Sequence, residues 1–252
     1  MEAVQRGPRT IPQSGPVVLL TAATLLLAGL DATTGLDGRA RVAGLVSAAA
    51  AAVALGRGLT RHRRGRLGPA DRVTLVRAVL ACGLAGLAAD SVAGAGGVPP
   101  GPALVALAAV ALSLDWVDGQ VARRTGTASG FGAAFDMEVD AFVVLVLSAY
   151  VARGAGPWVL AIGAARYLLL VAARLRPWLR APMPPRYWAK VVAATQGVVL
   201  VLAASDLLPA PVATGGLIGA LALLACSFGH QAWWLWRHRV AVPALAPERV
   251  RT

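Results

Sequence analysis

Long apolar runs alternate with short polar breaks along the whole chain. Eight runs stand out, at 16–31, 41–56, 73–91, 102–121, 132–152, 157–175, 188–206 and 212–236. Most approach the roughly 20 residues that a helix needs to cross a bilayer. The second is short and Ala-rich. Pro and Gly punctuate most of the gaps, as in AGAGGVPPGP at 93–102 and LLPAP at 207–211, where a helix has to stop. No internal repeat is visible. The pattern predicts an all-α polytopic membrane protein.

Composition agrees. Of 252 residues, 57% are hydrophobic, and the mean hydropathy is +0.66, too apolar for an ordinary soluble domain. Net charge is +12, carried by 23 Arg and a single Lys, Lys190. In a soluble protein that excess would suggest nucleic acid. Here the basic residues sit at the ends of apolar runs, where anionic headgroups and topology account for them, so no nucleic-acid partner is expected. The run RGLTRHRRGR at 57–66 has no interleaved aromatic residues for base stacking and reads as a juxtamembrane anchor. Two Cys within apolar runs (Cys82, Cys226) and three scattered His (His62, His230, His238) give no disulfide framework and no zinc spacing. The first apolar run lacks a small-residue cleavage site and reads as a retained span.

Charge also orients the chain. With the N-terminus in the cytoplasm and eight alternating spans, the outer loops hold only Arg39, Arg41 and Arg153. The other loop Arg and Lys190 fall on the cytoplasmic side, as the positive-inside rule requires. This predicts a multi-pass protein of the cytoplasmic (inner) membrane. Arg77 and Arg166 lie within spans. HQAWWLWRHR at 230–239 reads as an interfacial aromatic belt with a basic stop.

Acidic residues are rare, and five of the twelve fall in one segment, DWVDGQVARRTGTASGFGAAFDMEVD at 115–140. It follows directly on the apolar VALAAVALSL. Asp115 and Asp118 are spaced to share a helix face, as are Asp136 and Asp140. TGTASG at 125–130 joins the two helices, giving a hairpin whose polar ends meet at the cytoplasmic surface. Four carboxylates gathered there repel one another and need a countercharge. Hard divalent cations supply it through oxygen ligands and commonly join carboxylates to substrate phosphates. The cluster therefore implies one or two metal ions and a phosphorylated substrate. Gly119, Ala122 and Gly132 would let a flat ligand approach the backbone, and Arg123 offers a fixed positive charge to phosphate oxygens. An EF-hand is excluded, because its ligands alternate at every second position.

This segment resembles the signature of the CDP-alcohol phosphatidyltransferases, DxxDGxxAR, eight residues, then GxxxDxxxD. Asp115, Asp118, Gly119, Ala122, Arg123, Gly132, Asp136 and Asp140 fill every fixed position at the right spacing. The resemblance implies a six-helix catalytic transmembrane bundle over 67–240. It would be preceded by an N-terminal extension at 1–66 with two further transmembrane helices, and followed by a cytoplasmic tail at 241–252. It further implies that Asp115, Asp118 and Asp136 hold metal, Mg2+ or Mn2+ and two ions, and that Asp140 completes the metal site and acts as general base. Gly119, Ala122 and Gly132 would pack against cytidine, and Arg123 would bind the diphosphate. The acceptor hydroxyl would attack the lipid-side phosphorus of a CDP-linked lipid, CDP-diacylglycerol, and CMP would leave. The expected partners are that donor, an acceptor alcohol, the bilayer and a second copy of the chain.

Upstream, DRVTLVR at 71–77 is similar to the family's Asn-x-x-Thr-x-x-Arg, with Asp71 in place of the Asn. Thr74 is a candidate CDP contact; the other reading is an ordinary residue near a helix end. For an acceptor that carries phosphate, Lys190, Arg186, Arg166 and Arg77 are the candidate basic residues, with topology signalling as the competing account of the Arg. Ala141 stands where members that use inositol phosphate often have Arg, which weighs against that acceptor. Glu138 projects away from Asp136 and Asp140, either as a surface residue or as a specificity element. The two N-terminal spans could pack on the bundle, support dimer contacts or shield a lipid portal. A Mg2+-dependent intramembrane prenyltransferase is the alternative enzyme, but its Asp-rich motifs lie far apart in sequence. A divalent-cation transporter would need acidic residues in mid-span.

Overall fold

In a computed structural model, residues 14–62, 67–93, 101–125, 129–180 and 187–237 are described. Each of the eight apolar runs is a helix or most of one. They are α1 (Ser14–Thr34), α2 (Gly38–Arg61), α3 (Pro69–Ala93), α4 (Gly101–Thr125), α5 (Gly130–Ala155), α6 (Leu160–Leu175), α7 (Tyr187–Ala204) and α8 (Ala210–Arg237). The run at 157–175 opens as a 3-10 turn, Pro157–Val159, before α6 begins. A second such turn, Pro177–Arg180, follows α6. The short, Ala-rich second run is extended by its polar flanks into a helix of 24 residues.

Among the described residues, six helices are long and apolar enough to cross a membrane: α1, α2, α3, α4, α8 and α6 with its preceding turn. α7 is apolar and shorter. α5 is long enough, but Asp136, Glu138, Asp140 and Arg153 make it too charged to count by composition. The chain is an all-helical polytopic membrane protein.

α3 is the centre of the bundle. Its spanning window is 78% buried, against 17% to 28% for the other five candidate spans. It packs against α1, α2, α4 and α5. The outer helices leave large apolar side chains exposed, among them Val17, Leu25, Val42, Val46, Leu168, Val198 and Ile218, as a bilayer-facing surface requires. Between α5 and α6 the backbones nearly touch, since a Cβ at Gly163 would stand 2.6 Å from Leu145 Cα. Such small-residue contacts let helices associate where no water drives them together.

The N-terminal hairpin α1–α2 packs on the bundle, chiefly against α3. Its turn is fastened by Asp90 of α3, whose carboxylate accepts a hydrogen bond from the Asp37 backbone N–H at 2.9 Å. Asp37 is the N-cap of α2, and its own side chain makes no capping bond, so a neighbouring helix supplies an acceptor at that end. Gly35, at φ +67°, makes the left-handed turn that ends α1, its N–H bonded to Asp31 O at 2.8 Å.

Candidate active site

Three helix ends come together at one end of the bundle: the starts of α3 and α5 and the finish of α4. Each start is set by local chemistry. At α3, Pro69 occupies the first helical position, and the Asp71 carboxylate reaches back to accept the Gly68 N–H at 2.8 Å. This is the reach-back half of a capping box, with an N1 proline that lacks the N–H it would otherwise leave unsatisfied. At α5, Ser129 is extended and its hydroxyl accepts the Gly132 N–H at 3.0 Å. Gly132 then allows the two starts to meet, because a Cβ there would lie 2.5 Å from Asp71 Oδ1. Asp71 is thereby buried, at 2% exposure, between its own cap and α5.

Inside this junction stands Arg77, only 1% exposed. Its Nη1 is 3.0 Å from Asp115 Oδ1 of α4 and also bonds Asp136 of α5. Its Nη2 bonds Asp140, and its Nε donates to the Ala111 carbonyl at 3.1 Å. One guanidinium therefore ties α3 to both α4 and α5. The planar fork suits this task, since it offers five donors in fixed directions. At 1.5 Å per residue, Arg77 lies about 12 Å along α3, and Asp136 and Asp140 lie about 9 and 15 Å along α5. The cluster is recessed below the helix ends.

Asp115, Asp136 and Asp140 each place a carboxylate oxygen within 4.8 Å of the others, and each is partly exposed. An all-oxygen donor set of this kind fits a hard divalent cation. Arg77 offsets one of the three negative charges, and the remaining two match one such ion.

The other expected site residues distribute as follows. Thr74 is buried on α3 beside this junction, and its hydroxyl donates to the Ala70 carbonyl at 3.3 Å. Gly119 is half-buried in the last part of α4. The side chains of Asp118, Ala122 and Arg123, and all of Arg186, lie outside the described residues, as do 1–13 and the tail from 238 onward. Lys190 is exposed in the first turn of α7.

Arg166 pairs with Glu138 at 2.7 Å, bridging α6 to the side of α5 away from Arg77. The Arg166 Nε is buried and has no hydrogen-bond partner among the described residues. Near the end of α8, the Arg237 guanidinium lies 5.1 Å from the centre of the Trp233 ring.

Sequence reasoning grouped Arg77 with the basic residues for the acceptor. The structure places it among the carboxylates. A signal was available: an ionisable residue within a span is paired, and Arg77 and Arg166 each meet an acidic side chain. The enclosure of Asp71 by Gly132 had no signal in the sequence, because it depends on how α3 and α5 cross.

The family model for CDP-alcohol phosphatidyltransferase matches residues 69–230, well over half of the chain. The chain belongs to the CDP-alcohol phosphatidyltransferase family. No curated protein and no solved structure matches it. The matched span takes in α3 to α7 and most of α8, and it includes Arg77 and the three clustered aspartates. Membership makes the chain a membrane transferase with a CDP-alcohol donor and an alcohol acceptor, of a family that generally uses divalent metals. It also sets aside the prenyltransferase and transporter readings.

Proposed function

We propose that this protein transfers a phosphatidyl group from CDP-diacylglycerol to an acceptor alcohol, releasing CMP, at the cytoplasmic face of the inner membrane. The observation that carries the reading is the convergence of Asp115, Asp136 and Asp140 around Arg77 at one end of a membrane-spanning bundle. The catalytic unit is 67–240, and the expected assembly is a pair of identical chains.

Asp115, Asp118, Asp136 and Asp140 would hold Mg2+ or Mn2+, two ions. When bound, the metal supplies positive charge to the diphosphate oxygens, the charge stabilisation that dominates phosphoryl-type transfers. The chain's own residues position the reactants. Gly119 and Ala122 leave room for cytidine against the backbone, with the Thr74 hydroxyl close by, while the space at Gly132 is taken by Asp71. Arg123 balances diphosphate charge. Asp140 accepts the proton of the acceptor hydroxyl as its oxygen bonds to the lipid-side phosphorus. The bond from that phosphorus to the CMP oxygen breaks, and CMP leaves. Holding donor and acceptor together in this way accounts for much of the rate by proximity. Lys190, Arg186 and Arg166 are the candidates for an anionic group on the acceptor. Arg77 is better read as the fixed countercharge of the cluster.

The test is CMP release by the purified protein in lipid, with CDP-diacylglycerol, Mg2+ or Mn2+ and one acceptor at a time: glycerol 3-phosphate, inositol phosphate, inositol, serine or phosphatidylglycerol. Release with one acceptor establishes the reaction and names the acceptor. No CMP release and no CDP-diacylglycerol binding would reject the reading.

A further inference from the structure

The matched family region begins at residue 69, so α1 and α2 lie outside it. Their packing nevertheless reaches the helix that carries Asp136 and Asp140. Near the end of α2, Gly58 faces the Phe131 ring so closely that a Cβ would stand 2.8 Å from Cε2. His62, just beyond α2, meets the same ring edge-on at 5.8 Å between centroids. On its own helix, Phe131 stacks with Phe135 at 6.0 Å and an interplanar angle of 10°. Phe131 is 3% exposed, enclosed from the α2 side.

Phe131 immediately precedes Gly132, which rests on Asp71 of α3. The first turn of α5 is therefore gripped from two directions, by α3 at Gly132 and by α2 at Phe131. α2 is itself held to α3 at its far end through the bond between Asp90 and the Asp37 N–H. Asp136 and Asp140 are carried on the same continuous helix as Phe131. A displacement at its first turn is thus transmitted to both carboxylates, because well-packed helices shift as units.

We propose that the α1–α2 hairpin is a positioning element for the metal-bearing face of α5, acting through the contact of Gly58 with Phe131. Gly58 and Phe131 touch no reactant; they set where Asp136 and Asp140 stand. The inference rests on the metal-site reading above, and it gives the N-terminal extension a role in catalysis that its place outside the family region does not suggest. Errors of about 1 Å in a catalytic group can cost on the order of a hundredfold, so a modest wedge has a measurable effect.

The experiment uses the full chain in lipid, with Mn2+ binding read by paramagnetic resonance and the melting temperature followed in parallel. Gly58→Val wedges α2 away from Phe131 and lowers Mn2+ affinity by about tenfold, and adding Phe131→Leu recovers it to within about threefold, as expected for coupled neighbours. Should Gly58→Val fail to accumulate, Gly58→Ala is read the same way. A contact that serves only the fold would lower the melting temperature and leave the Mn2+ affinity of the folded protein unchanged, which would overturn the proposal. So would a loss of affinity that Phe131→Leu does not repair. If wild-type protein binds no Mn2+ at all, the functional reading itself fails, and the inference falls with it.

Discussion

The Asp71 carboxylate stands where a side chain at position 132 would begin, with Oδ1 2.5 Å from the site of a Cβ on Gly132. This contact joins the starts of α3 and α5, and it makes Gly132 a structural requirement independent of any ligand. Gly132→Ala pushes Asp71 off its bond to the Gly68 N–H. Overpacking of this kind costs about 1–3 kcal/mol. The expected result is a lower melting temperature even without nucleotide, measured on protein in lipid. An unchanged melting temperature with weakened CDP-diacylglycerol binding would assign the glycine to cytidine alone.

Arg77 is the residue whose loss should be felt most. Arg77→Met leaves Asp115, Asp136 and Asp140 without the cation that bonds all three. Removing one partner of a fully buried ion pair costs about 3–5 kcal/mol; here the three carboxylates are partly exposed, so the cost is smaller. Arg77→Lys keeps the charge but loses the fork, so it retains the fold and loses geometry. The expected outcome is poor accumulation of the Met variant. The Lys variant should be folded, with weakened Mn2+ binding in a direct titration. Wild-type Mn2+ affinity in both would mean that Arg77 does not shape the cluster.

Asp140 is assigned the proton transfer. Asp140→Asn keeps the shape and an oxygen for Arg77 but removes the base. Turnover should fall by about 10²–10⁴, the usual contribution of general base catalysis. CDP-diacylglycerol binding should largely survive, as measured by equilibrium binding of a labelled donor. Undiminished CMP release would show that the base lies elsewhere.

At the opposite end of α3, Asp90→Ala removes the acceptor for the Asp37 N–H. Loss of a helix cap of this type costs about 1–2 kcal/mol. The hairpin turn should become more open to amide exchange, with residues 35–41 losing protection before the rest of the bundle. Uniform exchange across the bundle would place the anchor of the hairpin elsewhere.

The helices were legible in the sequence because a bilayer imposes its length on each apolar run. The ends were less legible. α5 spans 130–155 and outruns the apolar stretch 132–152, since backbone hydrogen bonding and the Ser129 cap continue where hydropathy stops. The carboxylates of 115–140 announced themselves by their rarity and spacing. Arg77 stood out only by its place within a span, which implied an acidic partner without naming it. Which carboxylates it meets depends on the crossing of α3 with α4 and α5, and crossings are not written in a single sequence. The link from Asp90 to Asp37 was hidden for the same reason.

The burial of Arg77 also bears on how the protein enters the membrane. α3 is synthesised before α4 and α5, so its Arg reaches the bilayer ahead of the acidic partners. An unpaired Arg or Asp costs about 2.5–3.5 kcal/mol at the centre of a spanning helix on insertion scales and less toward its ends, and Arg77 lies about a third of the way along α3. Neither α3 alone nor the acidic hairpin alone is well suited to lipid. Each becomes so when the other arrives. The segment 69–155 is therefore expected to leave the insertion machinery as one group of three helices, and a nascent chain halted before α4 should be held there or slip back out.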